Sequence, residues 1–180
     1  EREVAPVLAK GADRRVFVII SDAFRYEAAQ ELASQLNGKY RIDAQLSVQL
    51  GVLPSYTALG MAALLPHKAL AYDEGGTIRL DGLPCASLEQ RSKVLASVQG
   101  VAVRAEDLMA MKKDEGRVFV KPYRVVYIYH DQVDAVGDKA ATEGHTFAAV
   151  RKAIEELSDL VGKVVDSLNG NHVLITTDRG

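Results

Sequence analysis

The chain has 180 residues, 48% of them hydrophobic and 26% charged, with a formal net charge of −2. That is apolar material enough for one domain of ordinary size, and the near-neutral balance excludes binding to nucleic acid or to a membrane surface through bulk positive charge. A single cysteine, Cys85, excludes an intrachain disulfide framework and a CxxC zinc site and favours a reducing, cytoplasmic setting, while no apolar run reaches the roughly 20 residues of a membrane span and no signal peptide is visible.

The run Val16 to Ile20 is apolar throughout and ends in Ser21-Asp22. It predicts a strand buried on both faces, as in a parallel sheet covered by helices. Phe24, Ala28, Leu32 and Leu36 then fall on one helical stripe, closed by Asn37-Gly38. Ile42 to Leu46 reads as a second strand, Gly51 to Ser55 as a loop, and Tyr56 to Leu65 as a helix stopped by Pro66. Residues 67–83 read as a surface insertion in which Asp81-Gly82 turns a hairpin. Ser87 caps a helix running to about Val98, Val101 to Arg104 is a short strand, Ala105 to Met111 a short helix, and Lys112 to Pro122 a linking loop. Arg124 to Tyr129 is the next long apolar strand and ends in His130-Asp131. An amphipathic helix from about Thr146 to Leu168, interrupted at Gly162, leads through Asn169-Gly170-Asn171 to a last strand that closes on Asp178. The alternation predicts an α/β three-layer sandwich with a mainly parallel central sheet. The abrupt limits at Glu1 and Gly180 add the expectation of a single domain cut from a longer protein.

Three strands therefore end in aspartate. Ligand sites in such sheets lie beyond the carboxyl ends of the strands, and converging carboxylates hold metal cations. Asp22 and Asp178 each have a plainer reading as helix caps, but capping predicts no match between strands so distant in sequence. The loop His130 to Asp138 carries three carboxylates and an imidazole in nine residues. Asp134 and Asp138, four apart, would share one face of a helical turn and could share a cation; a solvated acidic loop is the plainer alternative. Asp131 is expected to face solvent, and His130 to be a ligand or a donor standing behind the ligands. Ser55 and Thr57 open a helix, where a hydroxyl can meet a phosphate or, beside a cation, act as nucleophile; either could instead simply cap that helix. The sequence has no Walker loop, GxSxG elbow or GxGxxG fingerprint.

Four blocks in order, Val18-Ile19-Ile20-Ser21-Asp22-Ala23-Phe24-Arg25-Tyr26-Glu27, Leu53-Pro54-Ser55-Tyr56-Thr57-Ala58-Leu59-Gly60-Met61-Ala62-Ala63-Leu64-Leu65-Pro66, Asp134-Ala135-Val136-Gly137-Asp138 and Ile175-Thr176-Thr177-Asp178-Arg179-Gly180, resemble the PglZ domain. This is a branch of the alkaline phosphatase superfamily found in bacterial phage-defence systems of the BREX and phage-growth-limitation type, and the resemblance covers nearly the whole chain. It implies an alkaline-phosphatase-like fold and two divalent metal ions (zinc, manganese or magnesium) in one site. Asp22 and Asp178 match the aspartates of one metal, and Asp134 and position 138 match an Asp-x-x-x-His pair serving the other. Thr57 is then the nucleophile, with Ser55 the second choice.

The sequence departs from the wider superfamily at several points. Arg179 stands where a histidine ligand is usual and would clamp a phosphate oxygen. Asp138 also replaces a histidine, and as a harder ligand it shifts preference toward magnesium or manganese. Sulfatases and phosphodiesterases carry their nucleophile two residues before the proline, here Val52, which argues against a sulfatase. A final histidine ligand is expected downstream of Gly180. The implied function is a metal-dependent phosphoester hydrolase of phosphodiesterase or nuclease type. It would act in anti-phage defence beside other defence subunits, on nucleic acid or a nucleotide. The competing reading is a non-catalytic scaffold module of a multi-subunit defence complex, favoured by the replaced histidines. A phosphotransferase or mutase would use the same nucleophile but need a lid domain.

Overall fold

The computed structural model describes residues 3–22, 24–39, 42–130 and 143–178. A short helix α1 (Ala5–Leu8) leads to β1 (Val16–Ser21), α2 (Tyr26–Lys39) and α3 (Thr57–Ala63). A small antiparallel unit follows, β2 (Leu70–Tyr72), β3 (Ile78–Leu80) and β4 (Leu83–Pro84). Then come α4 (Leu88–Leu95), β5 (Gly100–Arg104), α5 (Ala105–Ala110), α6 (Lys113–Val120), β6 (Val125–His130), α7 (Glu143–Gly162) and β7 (Val173–Thr176).

The main sheet has the order β5-β6-β1-β7 and is parallel throughout. Its two central strands, β1 and β6, are buried at every residue, because helices cover both faces. Phe17, Ile19, Val126 and Ile128 point to one side and pack with Leu32 and Leu36 of α2 and Ile154 and Leu157 of α7. Val16, Val18, Ile20 and Tyr127 point to the other and pack with Leu59 and Met61 of α3, Leu80 of β3 and Leu95 of α4. The α/β sandwich expected from the alternation is thus formed, with the sheet as its middle layer. β7 has one neighbour among the described strands, so its residues are only half-buried.

Two local expectations are corrected. Ile42 to Leu46 is not a strand, and residues 42–50 have no regular structure. Their period-two pattern is real, but a strand also needs a ladder partner and none lies beside them among the described residues. Asn37 instead holds Ala44 by both backbone groups, accepting from its N–H (2.8 Å) and donating to its carbonyl (3.0 Å). Helix α2 runs through Asn37-Gly38 to Lys39 rather than closing there. The second correction is Lys112 to Pro122, which is not a loop but contains α6, started by the Lys112 N–H donating to Glu115 Oε2 (2.8 Å). Its apolar residues Val118, Phe119 and Val120 are consecutive, so they gave no helical stripe to read.

Other signals map directly. Ser87 and Gln90 form a capping box at α4. Asp81 (φ 50°) and Gly82 (φ 84°) both take the left-handed conformation that a two-residue hairpin turn requires. Ile78 and Leu80 carry that hairpin into the core on the α3 side of the sheet. After Gly162 the long helix widens, Leu168 N–H donating to Lys163 O five residues back (3.2 Å). No helix among the described residues is long and apolar enough to cross a membrane.

Candidate functional site

Parallel pairing sets where the chain leaves the sheet. β1 and β7 pair from Phe17 with Val173 to Ile20 with Thr176, so Asp22 and Asp178, each two residues further on, emerge at the same level. Adjacent strands lie about 4.8 Å apart. Both aspartates are 6% exposed. On the other side, β1 and β6 pair as far as Ser21 with His130, and the Asp22 N–H donates to the His130 carbonyl (3.0 Å) as the next rung. Thr177 joins the two acidic ends: its hydroxyl accepts from the Phe24 N–H (3.2 Å) and lies 3.4 Å from Asp178 Oδ1. Helix α2 begins at Tyr26, with the Ala29 N–H bonded to Arg25 O, so Asp22 stands outside its first turn.

Helix α3 comes to this edge from the opposite layer. At its C-terminal end the Tyr127 hydroxyl, rising from mid-β6, donates to the Leu64 carbonyl (2.7 Å). In its middle Gly60 lies against the Asp178 backbone so closely that a Cβ there would sit 2.1 Å from the carbonyl oxygen. Glycine is required at this contact because the neighbour is backbone and cannot rotate away. Thr57 is three residues before Gly60, hence on the same helical face and about 4.5 Å further along the axis. Thr57 is half-buried and Ser55 exposed. The N-cap is Tyr56, with no side-chain capping bond, so neither hydroxyl acts as the cap.

His130, the last residue of β6, is 5% exposed. Its Nδ1 is 3.0 Å from Ser21 Oγ and its Nε2 2.9 Å from Glu156 Oε2 on α7, so both ring nitrogens are engaged. Cys85 lies elsewhere in the second core, and burial pushes its thiol up, away from the thiolate a ligand needs. Asp131, Asp134, Asp138 and Arg179 fall outside the described residues.

Two buried carboxylates on neighbouring strands are a donor set suited to a divalent cation. Oxygen-only donors suit magnesium or manganese. The residues present thus fit half of a metal site. Among the described residues no group of three or more histidine, cysteine or acidic side chains comes together.

Four contributors to this edge carry little or no mark in the sequence. Ser21 and Thr177 share one weak signal, a hydroxyl residue directly before each strand-end aspartate. Gly60 reads as an ordinary helix residue, and Glu156 is one of several acids on α7.

A family model for the BREX system PglZ alkaline phosphatase-like domain matches residues 1–180. The chain is 48% identical over 179 residues to "Alkaline phosphatase-like protein BrxZ" of Escherichia coli O9:H4 (strain HS), covering 98% of this chain and 21% of that protein. It is 38% identical over 170 residues to "Alkaline phosphatase-like protein PglZ" of Bacillus cereus (strain H3081.97), covering 93% of this chain and 20% of that one. It thus spans about a fifth of the length of these curated relatives. No solved structure gives a significant match. The match over the whole chain, the two relatives and the parallel sheet with acidic strand ends agree: the chain belongs to the PglZ family of alkaline-phosphatase-like domains.

Proposed function

We propose that this domain is the catalytic part of a metal-dependent phosphoester hydrolase, of phosphodiesterase or nuclease type, acting in the bacterial cytoplasm in anti-phage defence. The family and the names of the relatives support the defence role, with other defence subunits as partners and nucleic acid or a nucleotide as substrate. The chemistry is carried by one observation: two aspartates, each 6% exposed, close adjacent parallel strands beside the helix that begins at Thr57.

Asp22 and Asp178 would hold one cation, and Asp134 and Asp138 a second. Bound divalent cations supply Lewis-acid polarisation of the phosphoryl oxygens and favour the ionised form of a nearby hydroxyl. Thr57 Oγ bonds to phosphorus as the P–O bond to the leaving alcohol breaks, and that alcohol takes up the hydroxyl proton. Water then cleaves the phospho-threonine, restoring the hydroxyl and releasing the phosphate. Arg179 donates to the phosphoryl oxygens and offsets their charge.

Thr57→Ala in the intact protein, assayed on bis(p-nitrophenyl) phosphate with Mn²⁺, is expected to lose about 10³-fold or more in rate, while Ser55→Ala stays near wild type. Unchanged hydrolysis in Thr57→Ala would overturn the assignment. A scaffold role is the second reading, favoured by Arg179 and Asp138 standing where histidines are usual. It predicts that Thr57→Ala leaves phage resistance and complex assembly intact.

A further inference from the structure

The stretch between α2 and α3 is a strand in pattern but not in fold. Apolar Ile42, Ala44, Leu46, Val48 and Leu50 alternate with polar Asp43, Gln45, Ser47 and Gln49, a strict period of two. Its first part is anchored. Ile42 and Ala44 pack against the same core as Leu32 and Leu36 of α2, and Asn37 holds Ala44 by both backbone groups. Beyond that anchor the apolar positions emerge step by step into solvent, Leu46 at 39%, Val48 at 79% and Leu50 at 94% exposure.

Two features separate this stretch from an ordinary surface loop. A row of apolar side chains at a spacing of two serves nothing in a solvated loop, but it is what one face of a strand needs to lie against another element. In addition, residues 44–53 contain no charged side chain and no proline. Strands left open at an edge are guarded by such residues against pairing with foreign chains. The lack of any guard points to a stretch that is covered. β7 shows the same omission: Val173, Leu174, Ile175 and Thr176 are uncharged, half-buried and paired on one side only among the described strands.

We propose that residues 45–50 are a strand-addition site, filled by an extended segment of the same polypeptide that lies outside residues 1–180 and itself alternates apolar with polar residues. Main-chain hydrogen bonds hold such a segment, and its apolar side chains cover Leu46, Val48 and Leu50. The occupant is assigned to the same polypeptide because the matched region makes up 21% and 20% of the two relatives, leaving about four-fifths of each outside it. A tethered strand arrives at an effective concentration of roughly millimolar, so it outcompetes foreign strands without any guarding charge. This inference stands apart from the cation-site reading.

The test is hydrogen–deuterium exchange of the intact protein, read by mass spectrometry. Amides of residues 45–50 are expected to exchange about 100-fold or more slowly than an unstructured chain, equally at low and high protein concentration. Val48→Lys with Leu50→Lys is expected to abolish that protection while β1 and α2 stay protected, whereas Gln49→Lys, on the alternate face, is expected to keep it. A photo-crosslinking amino acid at position 50, in a mixture of light- and heavy-nitrogen-labelled protein, is expected to join a peptide outside residues 1–180 that carries the same label. Exchange of residues 45–50 at the unstructured rate in wild type overturns the proposal. Crosslinks that mix the labels, which identify a second copy, overturn it too, as do crosslinks to a separate protein or to another part of residues 1–180.

Discussion

Two sets of aspartates in this domain have opposite characters. In the hairpin, Asp73 accepts from the Gly75 and Thr77 N–H groups and pairs with Arg79 (2.9 Å), and Asp81 accepts from the Lys68 and Ala69 N–H groups. These carboxylates sit at the surface, and backbone donors hold both below the usual carboxylate range. At the sheet edge, Asp22 and Asp178 are almost wholly buried, side by side on parallel strands. The hairpin aspartates complete the local fold by satisfying backbone groups next to them. The strand-end aspartates place two carboxyl groups inside the protein, where neighbouring parallel strands end. Residue type is the same in both places; burial and neighbours separate the roles.

The largest effect should come from the buried pair. Asp22→Ala with Asp178→Ala is expected to lower Mn²⁺ affinity by more than about 100-fold in calorimetry. Full retention of binding would erase the contrast. Next is the contact that seats α3 on Asp178. Gly60→Ala forces a Cβ to 2.1 Å from a carbonyl oxygen and should destabilise by about 1–3 kcal/mol, weakening Mn²⁺ binding as well. Gly38, also helical, has nothing within 4 Å of an added Cβ, so Gly38→Ala should stabilise by about 0.5–1 kcal/mol. Equal and opposite-to-expected results in urea unfolding would show that α3 is not seated as described.

The smallest effect is in the hairpin. Because the folded-state pKa of Asp81 is lowered, chiefly by the Lys68 and Ala69 N–H groups, its stabilisation is complete above its unfolded value near about 4. That contribution is lost as pH falls through the lower folded value. Asp81→Asn should therefore be slightly less stable near neutrality and show a shallower loss of melting temperature below about pH 4. An unchanged acid profile would remove Asp81 from its structural role.

Much of this was legible before any coordinates. The apolar runs of β1 and β6 could only be inner strands, the Asp81-Gly82 turn and the Ser87 cap are local chemistry, and the residues at the strand ends followed from parallel pairing. The failures have one cause. Ile42 to Leu46 has a strand pattern without a ladder partner, and α6 has a helix without a stripe, because its apolar residues are consecutive and only Phe119 and Val120 meet the core while Val118 is exposed. At the sheet edge, the strand-end positions of Asp22 and Asp178 could be named from sequence, but the contacts of Gly60, Thr177, Ser21 and Glu156 could not. Their importance lies in contacts with residues far away in the chain.

By itself, then, the sequence determined the layer architecture, the family and the acidic ends of the strands. These depend on periodicity and on residue type at a chain position, both of which are local properties. Only the tertiary structure decided which aspartates are buried on neighbouring strands, that α3 is seated on Asp178 at Gly60, and that His130 is held between Ser21 and Glu156. Each of those is a matter of through-space proximity and burial, which pairing register and helix packing set and which no local pattern encodes.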